Sequence, residues 1–359
     1  MRLLRLLLFP FSLIYALVVI FRNWAYHVGI FKSRKFKIPI ISVGNLAVGG
    51  AGKSPMTEYL VSLLKEDYKL ATLSRGYGRR TKGFLKVKSS SQAEDSGDEP
   101  LQFKKKFPDI TVAVCEDRVE GVKELNQHHQ VIILDDAFQH RAVKPGLSIL
   151  LFDYRSLKGF QWLLPTGDLR EPMNGRRRAE ILVITKCPPD LSAEQRNQLT
   201  AKVDPYPHQQ VFFSSLEYVA MKMVLHPDEE LSLDSVSKDT QIFLITGIAN
   251  ALPLTEHLKL YSPNISHHEY PDHHQFTKKN IAKLVTAFHN SQADKKYIIT
   301  TEKDAQRLNS HHFRESLKGL PVYYLPVEAC IQPPDEERFN NLIKEYVRKH
   351  PVNNRIYKT

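Results

Sequence analysis

Cysteine, tryptophan and methionine are scarce in this chain of 359 residues, which contains three Cys, two Trp and five Met. Cys115, Cys187 and Cys330 are far apart in the sequence and odd in number. This spacing argues against a disulfide framework and against a zinc site, and it fits a reducing compartment. Internal repeats are also absent, and the one polar, biased tract is the short run Ser89–Ser96. A repeat array is therefore excluded.

Acidic residues are in deficit, because 39 Asp and Glu face 50 Lys and Arg, for a net charge of +11. Such an excess implies an acidic partner, which leaves nucleic acid, an anionic membrane and a phosphorylated substrate open. The hydrophobic content of 42% and the charged content of 25% are ordinary for a folded globular protein. The length allows two domains.

The chain begins with an apolar segment that lacks a signal-peptidase site. Leu3–Phe21 is interrupted only by Arg5, Pro10 and Ser12, and no small-x-small pattern follows it. The segment is marginal for a membrane span, which needs about 20 apolar residues. Basic and aromatic residues flank it, so we expect a helix that lies in the membrane interface, with a single span or a cleaved signal as alternatives. The flanking residues are Arg22, Trp24, Tyr26, Lys32, Arg34, Lys35 and Lys37.

A glycine-rich octapeptide then stands between a predicted buried strand, Ile38–Val43, and an amphipathic stretch over residues 55–64. This strand–loop–helix setting is the one that a Walker A loop requires, although Ala47 stands where the first glycine is usual. Lys53 is expected at the β- and γ-phosphates, and the Ser54 hydroxyl at Mg²⁺. The predicted nucleotide-binding loop is Ala47, Val48, Gly49, Gly50, Ala51, Gly52, Lys53 and Ser54.

A second apolar strand, Val131–Asp135, ends in the carboxylate pair Asp135 and Asp136. A buried strand that delivers an aspartate to Mg²⁺ at the carboxyl edge of a sheet is typical of a Walker B element. His140 follows shortly after and is either structural or part of the site.

Three further segments contain polar or charged residues, and each segment has both a functional and a purely structural interpretation. The loop Ser74–Arg80 is rich in arginine and glycine and suits anion binding, or is a solvated basic loop. Asp98, in Gly97–Pro100, caps a helix or acts as a base toward an acceptor hydroxyl. Ile299–Asp304 helps to hold the nucleotide or, more simply, begins a capped helix.

The segment Tyr270–Phe276 contains one acid and two adjacent histidines. Asp272 or Thr277 is a candidate helix cap there. Adjacent histidines usually point apart, which argues against a joint metal site. A single histidine that pairs with a carboxylate from another lobe is the more credible functional interpretation.

Strands alternate with helices over most of the chain, which predicts a doubly wound, mostly parallel α/β sheet with helices on both faces. A second alternation begins at Gln241. We therefore expect an N-terminal membrane-associated helix in residues 1–35, a P-loop kinase domain in 36–210, a two-strand linker region in 211–240 and a smaller α/β domain in 241–359.

Taken in order, these segments resemble the tetraacyldisaccharide 4′-kinases, or lipid A 4′-kinases, over nearly the whole chain. The matching motifs are Val43–Asn45 before the P-loop, Ser74–Arg79, Gly97–Pro100, Asp117-Arg118, Asp135–His140, Leu169–Pro172, Ile245–Asn250, Asp272–His274 and Thr301–Asp304. Departures from the family pattern are Ser54 for Thr, Ala51 in the loop, Ala137 for Gly, and Thr166-Gly167-Asp168.

The resemblance implies transfer of the γ-phosphate of ATP, with Mg²⁺, to the 4′-hydroxyl of a tetraacylated glucosamine disaccharide 1-phosphate. It implies an enzyme on the cytoplasmic face of the inner membrane of Gram-negative bacteria. Matching positions imply Asp98 and His273 as a base pair. They also imply Arg75 and Arg118 near the nucleotide, and Glu171 near the metal with Asp135 and Asp136.

Two rival functions remain at this point. A membrane-associated P-loop NTPase that works as a switch or motor would not need the Asp98–His273 pair. A nucleic-acid-binding ATPase would place basic residues and aromatics along a groove. Several of the clearest basic clusters lie instead beside the apolar segment and in the loop at residues 75–80, so no nucleic acid partner is expected.

Overall fold

The structure is a computed structural model that describes residues 5–159 and 161–350. The start of the predicted apolar segment, at Leu3, and the last nine residues of the predicted second domain lie outside these ranges. The first part of the chain forms α1 (Phe9–His27), β1 (Ile40–Asn45), α2 (Lys53–Leu64), β2 (Leu70–Ser74), β3 (Leu85–Lys86), α3 (Ala93–Ser96), α4 (Asp98–Lys106), β4 (Thr111–Val114), α5 (Arg118–Asn126), β5 (Val131–Asp135), β6 (Leu147–Asp153), β7 (Ile181–Thr185), α6 (Ala193–Val203) and β8 (Gln210–Tyr218).

The remainder forms a second set of elements. These are β9 (Met221–Met223), β10 (Glu230–Leu231), β11 (Gln241–Thr246), α7 (Leu252–Lys259), β12 (Ile265–Glu269), α8 (Lys278–Asn290), β13 (Lys296–Thr301), α9 (Glu302–Leu308), α10 (His311–Leu317), β14 (Val322–Leu325), β15 (Val327–Ile331) and α11 (Glu336–Lys349). Short 3₁₀ helices lie at Ser156–Lys158, Met173–Arg178 and Leu233–Ser235.

A nine-stranded sheet, in the order β15-β8-β7-β6-β1-β5-β2-β4-β3, forms the larger lobe. The pairs from β8 to β4 are parallel, and the two edge strands are antiparallel. Successive residues of β5 face opposite sides: Ile133 packs in one apolar core with Leu60 of α2, and Leu134 packs in another with Val122 of α5. Helices thus cover both faces, and the predicted α/β fold is confirmed.

A six-stranded sheet, in the order β10-β9-β14-β13-β11-β12, forms the smaller lobe. The strands β14, β13, β11 and β12 are parallel, and β9 and β10 are added antiparallel beside β14. Its core lies between this sheet and α8, where Ile281, Leu284 and Phe288 are buried.

The division between the lobes differs from the predicted boundaries at 210 and 240. β8 is one continuous strand of the larger sheet, where β15 pairs with it, so the chain returns to the first lobe after β14. α11 packs on the same lobe, because the ring of Phe339 lies 5.1 Å from that of Phe212 and the Tyr346 hydroxyl contacts the backbone of Ile40 at 3.1 Å. The smaller sheet is therefore an insertion over residues 221–325.

α1 lies along the larger lobe and contacts it through polar side chains. The Ser12 hydroxyl lies 2.7 Å from that of Thr166, the Tyr15 hydroxyl donates to the Arg170 carbonyl at 3.0 Å, and the Asn23 amide donates to Glu171. Leu6 and Leu7, just before the helix, are exposed. So are the apolar side chains on its other sides: Phe9, Phe11, Leu13, Ile14, Leu17, Val18, Ile20, Phe21 and Trp24. Among the described residues, α1 is the one helix long and apolar enough to cross a membrane.

Candidate active site

The loop between β1 and α2 has the backbone that a phosphate cradle needs. Gly49 and Gly52 have φ angles of 101° and 79°, which side chains with a Cβ rarely adopt. Gly52 is the N-cap of α2 and offers no side chain to its first N–H groups. Those N–H groups and the positive end of the helix dipole therefore face a potential anion.

Lys53 and Ser54 begin α2 and contact Asn45, Glu99 and the predicted site residue Asp136. The Lys53 ammonium donates to the Asn45 side chain at 3.4 Å and lies 3.8 Å from Asp136. The Ser54 hydroxyl donates to Glu99 at 3.2 Å. The P-loop is thus brought against both the Walker B strand and the start of α4.

Asp135 and Asp136 stand at the carboxyl end of β5, beside the strand that leads into the P-loop. Asp135 is buried and accepts a hydrogen bond from Thr57 at 3.0 Å. Asp136 has a positive φ of 44° and accepts both ends of the Arg170 guanidinium, at 2.9 and 3.4 Å. The left-handed backbone thus falls on Asp136, one position before Ala137.

The two carboxylates differ in their affinity for protons. Burial, followed by the carboxylates of Glu99 and Asp136, raises the pKa of Asp135 to about 7. Burial alone would also raise the pKa of Asp136, but the charges of Lys53, Arg170 and Arg118 together outweigh it and lower that pKa. A buried carboxylate at the end of β5, short of positive charge, is what an incoming divalent cation would neutralise.

Asp98 and His273, from the two lobes, meet beside this cluster. The His273 Nδ1 lies 3.3 Å from the Asp98 Oδ2, and Asp98 is buried. The N-cap of α4 is Gly97, not Asp98, so the capping interpretation of Asp98 is wrong. The cap of α8 is Thr277, and the His273 backbone has a positive φ of 58°. His273 is thus held in a sparsely populated conformation that turns its ring toward the other lobe.

α9 supplies two cations to this pair, Lys303 in its first turn and Arg307 in its last. The Lys303 ammonium lies 3.2 Å from the His273 Nε2 and 3.4 Å from Glu99, and the Arg307 Nε lies 3.7 Å from Asp98. Thr301 caps α9 by accepting from the Asp304 N–H, as the simpler interpretation of this segment predicts. The same segment therefore also brings charge to the base pair.

Glu171 does not have the contacts of a metal ligand. Both of its oxygens accept from Arg178, at 2.9 and 3.0 Å, and Asn23 of α1 also donates to it. Because its side chain is fully buried among these donors, its charge is already balanced. The prediction of Glu171 near the metal does not fit this arrangement, which gives Glu171 a role in holding α1 instead.

The predicted arginines occupy two different environments. Arg75 is exposed after β2. Arg118 is buried and donates to the carbonyls of Cys115 and Glu116, and no residue that the structure describes accepts from its Nε. Burial, with a further effect of the Arg75 charge, lowers the pKa of Arg118.

His140 lies near these arginines. Burial and the Arg118 charge lower the pKa of His140 to about 4, so this histidine is neutral.

Several side chains at this edge were missed from the sequence: Thr57, Glu99, Arg170, Lys303 and Arg307. Glu99, Arg170 and Lys303 do lie inside motifs that were recognised, but their partners are distant in the chain. The sequence therefore shows that Leu169–Pro172 contains charged residues, but it does not show that the Arg170 guanidinium makes two hydrogen bonds to Asp136.

The model of the family LpxK, described as tetraacyldisaccharide-1-P 4′-kinase, matches residues 4–348. The chain belongs to this family. Membership confirms the predicted kinase class and argues against a switch or motor.

Curated relatives and a solved structure agree with that family. A tetraacyldisaccharide 4′-kinase of Phocaeicola vulgatus is 44% identical over 351 residues, with 96% of each chain covered. One of Flavobacterium johnsoniae is 40% identical, with 98% of this chain and 99% of the relative covered. The crystal structure of LpxK from Aquifex aeolicus in complex with ATP is 30% identical, has a TM-score of 0.74, and covers 96% of this chain and 99% of that one.

Proposed function

We propose that this protein transfers the γ-phosphate of ATP to the 4′-hydroxyl of a tetraacylated glucosamine disaccharide 1-phosphate. The observation that carries the proposal is the placement of the Asp98–His273 pair next to a P-loop. Glu99, the neighbour of Asp98, contacts Ser54 of that loop at 3.2 Å. A proton acceptor within a few ångströms of the phosphate site is needed for transfer to a hydroxyl.

In this mechanism Asp98 accepts the proton of the acceptor hydroxyl. The hydroxyl oxygen bonds to the γ-phosphorus while the bond from that phosphorus to the β–γ bridging oxygen breaks, and ADP leaves. His273 donates from Nδ1 to Asp98 and fixes its orientation, and Arg307 stabilises its anionic form. Lys53 balances the negative charge that develops on the transferring group.

The residues present also fit Mg²⁺. Ser54, Asp135 and Asp136 offer one hydroxyl and two carboxylates, the hard oxygen donors that Mg²⁺ takes together with substrate phosphates and water. When bound, the ion would neutralise charge on the β- and γ-phosphates. Because the pKa of Asp135 is raised to about 7, this carboxyl group would give up its proton when it binds the cation.

We further propose that α1 lies in the cytoplasmic face of the inner membrane. Its exposed apolar side chains provide the buried area, and its polar contacts with residues 163–171 keep it on the catalytic lobe. Basic residues after the helix, including Lys32, Lys35 and Lys37, are exposed and would face anionic headgroups. A lipid acceptor, rather than nucleic acid, is the partner that these surfaces favour.

The test is transfer of labelled γ-phosphate from ATP to the disaccharide lipid in mixed micelles. We expect a labelled lipid that forms only with Mg²⁺, and a Lys53→Ala variant that loses on the order of 10²-fold or more in kcat/KM. ATP hydrolysis that is unaffected by the lipid, with no labelled lipid, would instead identify an NTPase without an acceptor. Wild-type turnover in folded Lys53→Ala protein would overturn the P-loop assignment.

A further inference from the structure

A lysine that follows β7 reaches the P-loop from the side opposite Asp98. The Lys186 ammonium donates to the Gly50 carbonyl and forms an ion pair of 2.9 Å with Asp153, at the end of the neighbouring strand β6. The adjacent Thr185 hydroxyl donates to the Ala51 carbonyl at 2.8 Å. Two consecutive carbonyls of the nucleotide loop are therefore held by the end of one strand.

These contacts fix the direction of the N–H groups of the loop. In a trans peptide the C=O and the N–H point to opposite sides of the chain. When the Ala51 carbonyl points toward the end of β7, the N–H of Gly52 points away from it. The N–H of Ala51, across the peptide from the Gly50 carbonyl, donates to the Gly49 carbonyl at 3.1 Å and so closes a turn of the loop. N–H groups of a P-loop are the donors that cradle the phosphates.

The position of Lys186 is fixed by its own backbone and by its partner Asp153. Lys186 has a φ of 56°, a left-handed conformation that lysine rarely adopts. Such a conformation persists where the surroundings determine it, and it is concentrated at functional sites. The partner Asp153 is fixed in turn, because it accepts the backbone N–H groups of Arg155 and Ser156 at 2.8 and 3.2 Å.

The sheet order places this contact on the nucleotide side of the site. β1 leads into the loop, with β5 and β2 on one side and β6 and β7 on the other. Asp135 and the segment that carries Asp98 follow β5 and β2, so the acceptor hydroxyl approaches from that side. Lys186 follows β7, and it can affect ATP without touching the acceptor.

We propose that Lys186, braced by Asp153, is a positioning residue for ATP: it holds the Gly50 carbonyl, and with it the turn between Gly49 and Ala51, so that the following N–H groups of the loop face the phosphates. This inference rests on the proposed kinase function. It assigns no proton transfer to Lys186, only the alignment of the donors that bind the nucleotide.

The test is a Lys186→Met variant, with KM measured separately for ATP and for the lipid acceptor. We expect a rise of roughly tenfold in KM for ATP, which is the scale of a hydrogen bond from a charged group that is partly exposed. KM for the acceptor and kcat should stay within about twofold. Lys186→Arg should restore most of the affinity, because the guanidinium keeps a donor and a charge.

Two further variants separate this role from a loss of folding. Asp153→Asn removes the ion pair and should raise KM for ATP in the same direction, and the double variant should lose less than the product of the single effects. Lys222→Met is the matched control, because Lys222 makes an ion pair of the same 2.9 Å length with Glu230 in the smaller lobe. Its KM for ATP should be that of the wild type.

An unchanged KM for ATP in both Lys186→Met and Asp153→Asn would overturn the inference, as would equal rises in KM for ATP and for the acceptor. If Lys186→Met does not fold, the Asp153→Asn result decides alone. Absence of lipid phosphorylation by the wild-type protein would instead contradict the proposed function.

Discussion

The Lys303 ammonium lies 3.2 Å from the Nε2 of His273, on the opposite side of the ring from the Nδ1 that faces Asp98. A lysine ammonium can only donate, so Nε2 must accept. The imidazole is therefore neutral in this arrangement, and its proton lies on Nδ1, where it can be donated to Asp98. Lys303 thus selects the tautomer that orients the base.

Replacement of Lys303 by Met should lower kcat roughly tenfold or more, because the lost hydrogen bond involves a charged group. ATP affinity should change little. The measurement is steady-state kinetics with both substrates varied. Lys295→Met is a suitable control, because its ammonium donates to the Ser235 carbonyl far from the site. An unaltered kcat in Lys303→Met would show that the tautomer does not depend on this lysine.

The Asp98–His273 pair should behave as one unit. Alanine at either position should reduce kcat by about 10²–10⁴-fold, the range of general-base assistance. The double variant should lose much less than the product, because residues that act together are non-additive. His274→Ala is the matched control, since His274 contacts Asn280 rather than Asp98.

Kinetics of these variants with nucleotide-binding measurements will also separate two roles for Asp98. Losses that multiply in the double variant would indicate that the two residues act independently. A large loss of ATP binding in Asp98→Ala would place Asp98 at the metal and nucleotide instead.

Replacement of Asp135 or Asp136, at the end of β5, by Asn should change Tm in opposite directions. The folded-state pKa of Asp135 is raised, so the folded protein holds a proton that the unfolded chain lacks between about pH 4 and 7. Stability from this group therefore falls as pH rises through that window. Asp135→Asn should raise Tm at pH 8 without Mg²⁺, although turnover falls sharply.

Asp136→Asn provides the contrast. The folded-state pKa of Asp136 is lowered, so its charge contributes stability above the unfolded pKa that is lost as pH falls. Its replacement leaves Lys53 and Arg170 without their carboxylate and should lower Tm at pH 8. Thermal melts without Mg²⁺ check both changes, and equal shifts in the same direction would contradict the assigned environments.

The sequence analysis was most accurate where the determinants of structure are local. Val131–Asp135 forms a strand with the predicted bounds, because a short apolar run between turns is a local property. The return of β15 to β8 was not predicted, since this pairing joins residues more than a hundred positions apart. Charge partners follow the same rule: Lys303 was recognised within a motif, but its approach to His273 depends on how the lobes pack.

A buried acidic cluster at the junction of the lobes predicts a second dependence on pH. The Lys106 ammonium lies 2.7 Å from Glu58, 4.0 Å from Glu302 and 3.8 Å from Glu328. Burial, and then the Glu58 charge, raises the pKa of Glu302 to about 8. The folded state thus keeps a proton on Glu302 that the unfolded chain loses above about pH 4.5, and stability falls as pH rises from there to about 8.

Glu302→Gln should therefore flatten the pH dependence of Tm between pH 5 and about 8 and raise Tm at the upper end. Glu328→Gln is the control, because that side chain is half exposed and should matter little. Melting curves across this pH range decide the matter: a Glu302→Gln curve parallel to that of the wild type would show that Glu302 does not titrate there.

The exposed apolar side of α1 and its polar side have different roles: the first is expected to enter the membrane, and the second contacts the larger lobe. Deletion of residues 1–21 would remove its apolar surface, but also the contacts of Ser12 and Tyr15 with the segment that carries Arg170. Substitution of only the exposed Leu13, Leu17 and Phe21 by Ser spares those contacts. This triple variant should leave vesicles of anionic lipid at high salt, where the wild type stays bound, because only apolar burial resists screening.

At low salt the triple variant should keep part of its attachment through the basic residues that follow α1. Its KM for ATP should equal that of the wild type, since the P-loop and its partners are unaltered, whereas phosphorylation of lipid in vesicles should fall more than phosphorylation of lipid in detergent. Vesicle flotation at two salt concentrations, combined with both kinase assays, gives the answer. Equal partitioning of variant and wild type at high salt would mean that the exposed face of α1 does not enter the bilayer.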